Sequence, residues 1–173
     1  MNDDWAEYSD ADFLGLLGLH DHATALREFW PRRGPQWDAL GLAGGVPVLV
    51  EAKAHIKEFL SPETQAGSKS RAHIVAAFQK VQADAGLAPR SDWARCFYQL
   101  ANRLAHLWFL QSRGVPAVLM LVGFVGDRDI CGPHHPEAWN AAEEVAFFAL
   151  GVPASHPLRR AVISVHPDVR QLV

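Results

Sequence analysis

Two runs rich in Val and Leu, QWDALGLA over 36–43 and VPVLVEAKA over 46–54, meet at Gly44-Gly45. A two-residue turn that keeps the twist of its flanking strands needs positive φ at its central positions, and paired glycines supply it without steric cost. The chain is therefore constrained to a β-hairpin. With Gly44-Gly45 as the turn, Ala43 pairs with Val46, and counting outward sets Asp38 directly opposite Glu51. Alternation then puts Lys53 on the same face. Two facing carboxylates repel, and the apolar run before Glu51 reads as largely buried, so the arrangement calls for a compensating cation.

The other elements follow from periodicity and punctuation. SDADFLGLLG (9–18) and DHATALREFW (21–30) read as short helices, the second capped by Asp21 and stopped by Pro31. SPETQAGSKS (61–70) is a loop, and Ile74, Phe78 and Val81 give a helix from about Ser70 to Ala85, ended by Gly86 and Pro89. A longer helix is expected from a cap at Ser91 or Asp92 to Gly114, with Trp93, Phe97, Leu100, Leu104 and Leu107 at helical spacing. PAVLMLVGFV (116–125) reads as a strand buried on both faces, Pro136 to Leu150 as a helix with Gly151 past its end, and RRAVISVHP (159–167) as a last strand. This order predicts an α/β fold in one domain over 1–173, a mixed sheet containing a β-hairpin and flanked by helices. The amino-terminal helices occupy 1–34, the hairpin 36–54, and the remaining helices and strands 70–166.

Charge narrows the function classes. A net charge of −3 and a pI near 6.3 argue against gripping duplex nucleic acid over a wide basic face. Arg27, Arg32, Arg33, Lys53, Lys57, Lys69 and Arg71 nevertheless cluster in sequence around the hairpin, which leaves room for a local anion site. The longest apolar run, Val115 to Val125, is too short to cross a bilayer, and the acidic start MNDDWAEYSDAD lacks the basic region of a signal peptide. A cytoplasmic protein without membrane contact is expected. Cys96 and Cys131 are far apart with no C-x-x-C spacing, which disfavours a disulfide framework or a zinc ribbon.

A hard divalent ion resolves the repulsion in the hairpin. Mg²⁺ and Mn²⁺ are held by one or two carboxylates together with carbonyl and water oxygens, a set that Asp38, Glu51 and the backbone carbonyl of Ala52 supply. Lys53, one strand step away, is placed to hold or deprotonate an attacking water, or to neutralise a phosphate. Asp38 followed by Glu51-Ala52-Lys53 on a hydrophobic strand resembles the D…(D/E)xK signature of the PD-(D/E)XK, restriction-endonuclease-like nuclease superfamily. The resemblance implies a restriction-endonuclease-like core, with Asp38, Glu51 and Lys53 catalytic and Mg²⁺ or Mn²⁺ as cofactor. The chain departs from it in two places. There is room for only two good strands before the central helices where many members have three, and Gln99 is followed four residues later by Arg103 where some branches carry Tyr.

Further residues are candidates for substrate contact. Arg95, Gln99, Asn102 and His106 form one polar stripe on the long helix, which reads either as a face toward the cleft or as a solvated helix face. Ser68, Lys69, Ser70 and Arg71 stand where a helix begins, a place that favours phosphate. Arg32 and Arg33 lie close in sequence to Asp38. His20, His22, His134, His135 and Cys131 offer a rival metal site, but adjacent histidines diverge and no H-x-x-x-H occurs. Serine hydrolase, Walker and dinucleotide fingerprints are absent from the sequence.

The expectation is a divalent-metal-dependent phosphodiesterase, a small nuclease acting on DNA or RNA. The charge balance suits single strands, a restricted substrate, or work within a homodimer or larger complex. The alternative is a catalytically inactive module of the same fold that binds nucleic acid or a protein partner; a hydrolase of another phosphorylated substrate is a third reading.

Overall fold

The computed structural model describes residues 12–32 and 34–171. Four strands, β1 (Ala39–Ala43), β2 (Val46–Lys53), β3 (Val118–Gly123) and β4 (Val162–Val165), form one mixed sheet in the order β1-β2-β3-β4. β1 is antiparallel to β2, while β2, β3 and β4 are mutually parallel. Helices α1 (Asp12–Leu16) and α2 (Ala23–Phe29) precede the hairpin. Helices α3 (Ile56–Phe59), α4 (Ser68–Asp84) and α5 (Tyr98–Gln111) join β2 to β3, and α6 (Pro136–Leu150) and α7 (Pro157–Arg160) join β3 to β4. A mixed α/β fold with a hairpin in a helix-flanked sheet is what the sequence predicts. Among the described residues no helix is long and apolar enough to cross a membrane.

The hairpin has the register set by its glycines, from Ala43↔Val46 to Ala39↔Val50, with φ of 58° at Gly44 and 84° at Gly45. The ladder then breaks one residue early. Asp38 N–H donates to the Val50 carbonyl at 3.2 Å although Val50 already faces Ala39. Two residues opposite one make a β-bulge, which bends the strand and re-aims its side chains. Asp38 is therefore not the cross-strand partner of Glu51.

Both parallel crossovers advance the same way along the sheet, so right-handed connection places both sets of helices on one face. Glu51 on that face meets Arg103 of α5, and Gly123 meets Trp139 of α6. A Cβ at Gly123 would lie 2.6 Å from the Trp139 ring, so this close approach needs glycine. Leu49, Leu119, Leu121 and Val162 are buried beneath the helices, whereas Val48, Val50, Met120 and Val122 on the opposite face are half-buried. The apolar run of β3 is thus buried on one face only, contrary to expectation, because no connection crosses to the other side.

Helix α5 is buried nearly all round, from Leu100 through Leu107. Aromatic rings seal its far side: Phe29 stacks on Phe109 at 5.3 Å, and Phe78 meets Trp30 and Trp93 edge-on, both at 5.4 Å. The helix begins at Tyr98 rather than at Ser91 or Asp92, because Phe97 takes a left-handed conformation with φ of 52°. Asp92 instead closes a turn by accepting from Ala94 N–H at 2.8 Å. Asp21 caps nothing; it lies inside a 3-10 turn, His20–His22, ahead of α2. Helix α4 starts at Ser68, two residues earlier than the periodicity suggests, and Arg159 and Arg160 belong to α7 rather than to the last strand. The start of the first predicted helix, 9–11, lies outside the described residues.

Candidate active site

The charged end of the hairpin is built by three elements. Alternation along β2 points Leu49, Glu51 and Lys53 toward α5, and Glu51 is only 5% exposed. A buried carboxylate needs a partner, and α5 provides it: Arg103 Nε donates to Glu51 Oε2 at 2.6 Å. The same guanidinium donates to the Gln36 carbonyl at 2.8 Å and lies 5.0 Å from the Trp37 ring, which fixes it to the chain entering the hairpin. Lys53 Nζ is 2.5 Å from Glu51 Oε1. That second contact is one of charge rather than alignment, since Oε1 has no hydrogen-bond partner among the described residues.

Asp38 reaches the same end of β2 by another route. Its Oδ2 accepts from Ala52 N–H at 2.7 Å, where a further β1 residue would otherwise continue the ladder. N–H and C=O of one strand residue face the same neighbour, so the Ala52 carbonyl faces the Asp38 side. Asp38 is exposed, and its Oδ1 has no partner among the described residues. The bulge thus brings Asp38 to the residue between Glu51 and Lys53, although not by the cross-strand pairing the sequence suggests.

The compensating cation also differs from expectation. Arg103 and Lys53 both neutralise Glu51, so the buried carboxylate is stable without a metal. Oxygens suited to a hard ion remain, namely Asp38 Oδ1, Glu51 Oε1 and the Ala52 carbonyl. No group of three or more His, Cys, Asp or Glu side chains placed to hold a metal occurs among the described residues.

The polar stripe divides. Asn102 and His106 are 5% and 1% exposed, so this is no solvated helix face. Asn102 Oδ1, the partly buried Gln99's Oε1 and Trp37 Nε1 are buried without hydrogen-bond partners among the described residues. So many unsatisfied polar atoms on and beside this helix are unusual for a core. Burial without a charge partner pushes the pKa of His106 down to about 3, even though its Nδ1 bonds the Asn102 carbonyl at 2.9 Å. The ring is therefore neutral.

Arg95 leaves the stripe, because it sits in the turn before α5 and pairs with Glu63 at 3.7 Å. Arg71 pairs with the same Glu63 at 3.0 Å. Glu63 belongs to a segment docked on the start of α5, where Gln99 N–H donates to Ser61 Oγ at 2.9 Å and Thr64 N–H to the Ala94 carbonyl at 2.9 Å. Ser68 and Lys69 are exposed and Ser70 half-buried in the first turn of α4, whose N-cap is Gly67. Arg33 lies outside the described residues.

Sequence reasoning missed Arg103 as the partner of Glu51. The signal was Gln99-x-x-x-Arg103 itself: a guanidinium on the turn after Gln99, amid apolar neighbours, needs a buried acid. No family model, curated protein or solved structure matches this chain.

Proposed function

We propose that the protein is a divalent-metal-dependent phosphodiesterase of the restriction-endonuclease-like type, hydrolysing nucleic acid. The observation that carries this reading is the bond from Ala52 N–H to Asp38 Oδ2, which ties a second carboxylate to the residue between Glu51 and Lys53. Asp38 Oδ1, Glu51 Oε1 and the Ala52 carbonyl are the oxygens that would hold Mg²⁺ or Mn²⁺. The ion would supply polarisation of the scissile phosphoryl group. Arg103 fixes the Glu51 carboxylate, and Lys53, the cation beside it, would orient the attacking water and neutralise charge on the phosphate. Gln99, one helical turn before Arg103, and Asn102, adjacent to it, carry buried acceptor oxygens without partners among the described residues and would contact the substrate backbone.

The test is incubation with single- and double-stranded DNA and RNA in Mg²⁺ or Mn²⁺, alongside Glu51→Ala and Lys53→Ala. Cleavage by the wild type that both substitutions abolish is expected. Equal cleavage by all three proteins, or none on any substrate, overturns the proposal.

One observation favours a second reading, a nuclease-fold module that binds nucleic acid or a protein partner without turnover. Glu51 is already neutralised by two cations at 2.5 and 2.6 Å, which competes with a metal. Thermal stabilisation by Mn²⁺ that Asp38→Ala removes distinguishes the catalytic reading from this one.

A further inference from the structure

A cavity of about 510 Å³ opens between the amino-terminal helices and α5, lined by Leu26, Arg27, Trp30, Pro31, Arg32 and His106 among others. Its size falls in the range of small-molecule sites. His106 is the unusual member of the wall. Its Nδ1 is 2.9 Å from the Asn102 carbonyl, and a carbonyl only accepts, so Nδ1 carries the hydrogen and Nε2 presents a lone pair. Nε2 is buried and has no hydrogen-bond partner among the described residues. A buried acceptor left unpaired costs stability, and an N–H of a bound molecule would remove that cost.

The other walls restrict what such a molecule is. Trp30, its ring centroid 4.8 Å from that of His106, offers an aromatic surface, and Pro31 and Leu26 add apolar cover. Arg27 and Arg32 are exposed and cationic in the lining, against the single exposed carboxylate of Asp12, which leaves the named charges net positive. A planar N–H donor joined to an anion meets all three demands. Trp37 links this cavity to the carboxylate site, with its ring 6.3 Å from His106 and 5.0 Å from the Arg103 guanidinium.

We propose that the cavity binds the base of a nucleotide, with a base N–H donating to His106 Nε2, the ring against Trp30 and the phosphate at Arg27 and Arg32. The choice of a nucleotide over other planar anions rests on the phosphodiesterase reading. A free nucleotide and an unpaired base within a strand share this chemistry. A duplex, whose bases are stacked and paired, does not present it.

The experiment is calorimetric titration of the full chain in EDTA, where no metal-dependent turnover occurs, with dAMP, a short oligo-dA, the corresponding duplex and inorganic phosphate. His106→Phe keeps the aromatic packing and removes the acceptor; Arg27→Ala and Arg32→Ala are exposed substitutions that keep the test open if His106→Phe fails to fold. Arg160→Ala, exposed and outside the cavity lining, is the control. Expected is binding of dAMP or oligo-dA, weakened about tenfold or more by His106→Phe and by each arginine substitution, and unchanged by Arg160→Ala. Binding of dAMP identifies a free nucleotide as sufficient, and binding of oligo-dA alone assigns the base to a strand; either supports the site. Absence of binding by both, equal binding by wild type and His106→Phe, or equal binding of inorganic phosphate overturns it. Binding without cleavage in Mg²⁺ or Mn²⁺ overturns the phosphodiesterase reading alone, and cleavage without cavity binding overturns this inference alone.

Discussion

Glu51 and Glu143 are two buried carboxylates supported from one row of the sheet. Glu51 of β2 stands beside Leu121 of β3, and Leu121 beside Ser164 of β4, whose hydroxyl donates to Glu143 of α6. Both are nearly inaccessible, at 5% and 3% exposure. Their partners differ in kind. Glu51 is met by Arg103 and Lys53 within ion-pair distance, whereas Glu143 has a neutral hydroxyl as its hydrogen-bond donor. Burial pushes the Glu143 carboxyl above its usual range, only partly offset by Ser164 and by the charges of His166 and Arg159. The row thus carries one carboxylate paired with cations and one whose burial favours its protonated form.

The largest effect should come from separating the cationic pair. Arg103→Met leaves Glu51 buried with Lys53 alone, and Glu51→Met leaves Arg103 without a counter-charge; each should cost about 3 kcal/mol in urea denaturation. The double substitution should recover most of that loss, because a buried pair replaced by apolar groups of similar volume is close to neutral. If each single variant unfolds at the wild-type midpoint, the pair contributes nothing to the site and the contrast with Glu143 fails.

Lys53 separates chemistry from stability. Its side chain retains some solvent exposure and Arg103 still neutralises Glu51 without it. Lys53→Ala should therefore change stability by less than about 1 kcal/mol while lowering the proposed phosphodiester cleavage by about a hundredfold or more. A large loss of stability with turnover retained would make Lys53 a structural ion-pair partner only.

Asp38 probes the bulge. Asp38→Ala removes the acceptor for Ala52 N–H and should cost about 1 kcal/mol, whereas Asp38→Asn keeps a carbonyl oxygen there and should cost little. Both remove the negative charge, so both should abolish stabilisation by Mn²⁺. Thermal unfolding with and without the ion separates the two contributions, and Mn²⁺ stabilisation surviving in Asp38→Asn would remove Asp38 from the ion's ligands.

These contrasts also mark what was legible in the sequence. Local rules carried the hairpin, since Gly44-Gly45 fixed the pairing from Ala43↔Val46 to Ala39↔Val50. They failed one residue later, because a bulge at Asp38 leaves no mark in an alternation pattern. Helix α6, with Pro136 at its start and Gly151 at φ of 72° past its end, was equally readable. The start of α5 was not, because a left-handed Phe97 is held by surrounding structure rather than by its own preference. The Glu51–Arg103 pair joins residues fifty-two positions apart. Spacing cannot disclose such a contact, and only the parallel crossover that lays α5 over β2 creates it.

Glu143 gives the smallest effect and the opposite sign. Because its folded pKa is raised, the native state keeps a proton over a window in which the unfolded chain has released it. Stability from this group is complete below the ordinary glutamate range and falls as pH rises through the raised value. Glu143→Gln mimics the protonated acid and can still accept from the Ser164 hydroxyl. It should match the wild type on the acid side and exceed it by about 1 kcal/mol toward neutrality, flattening the decline. Urea midpoints across that interval test the sign. Glu51→Gln, measured in parallel, should be destabilised, since the charge it removes balances Arg103. Should Glu143→Gln also lose stability as pH rises, burial would not be raising the Glu143 pKa, and the contrast along the row would not hold.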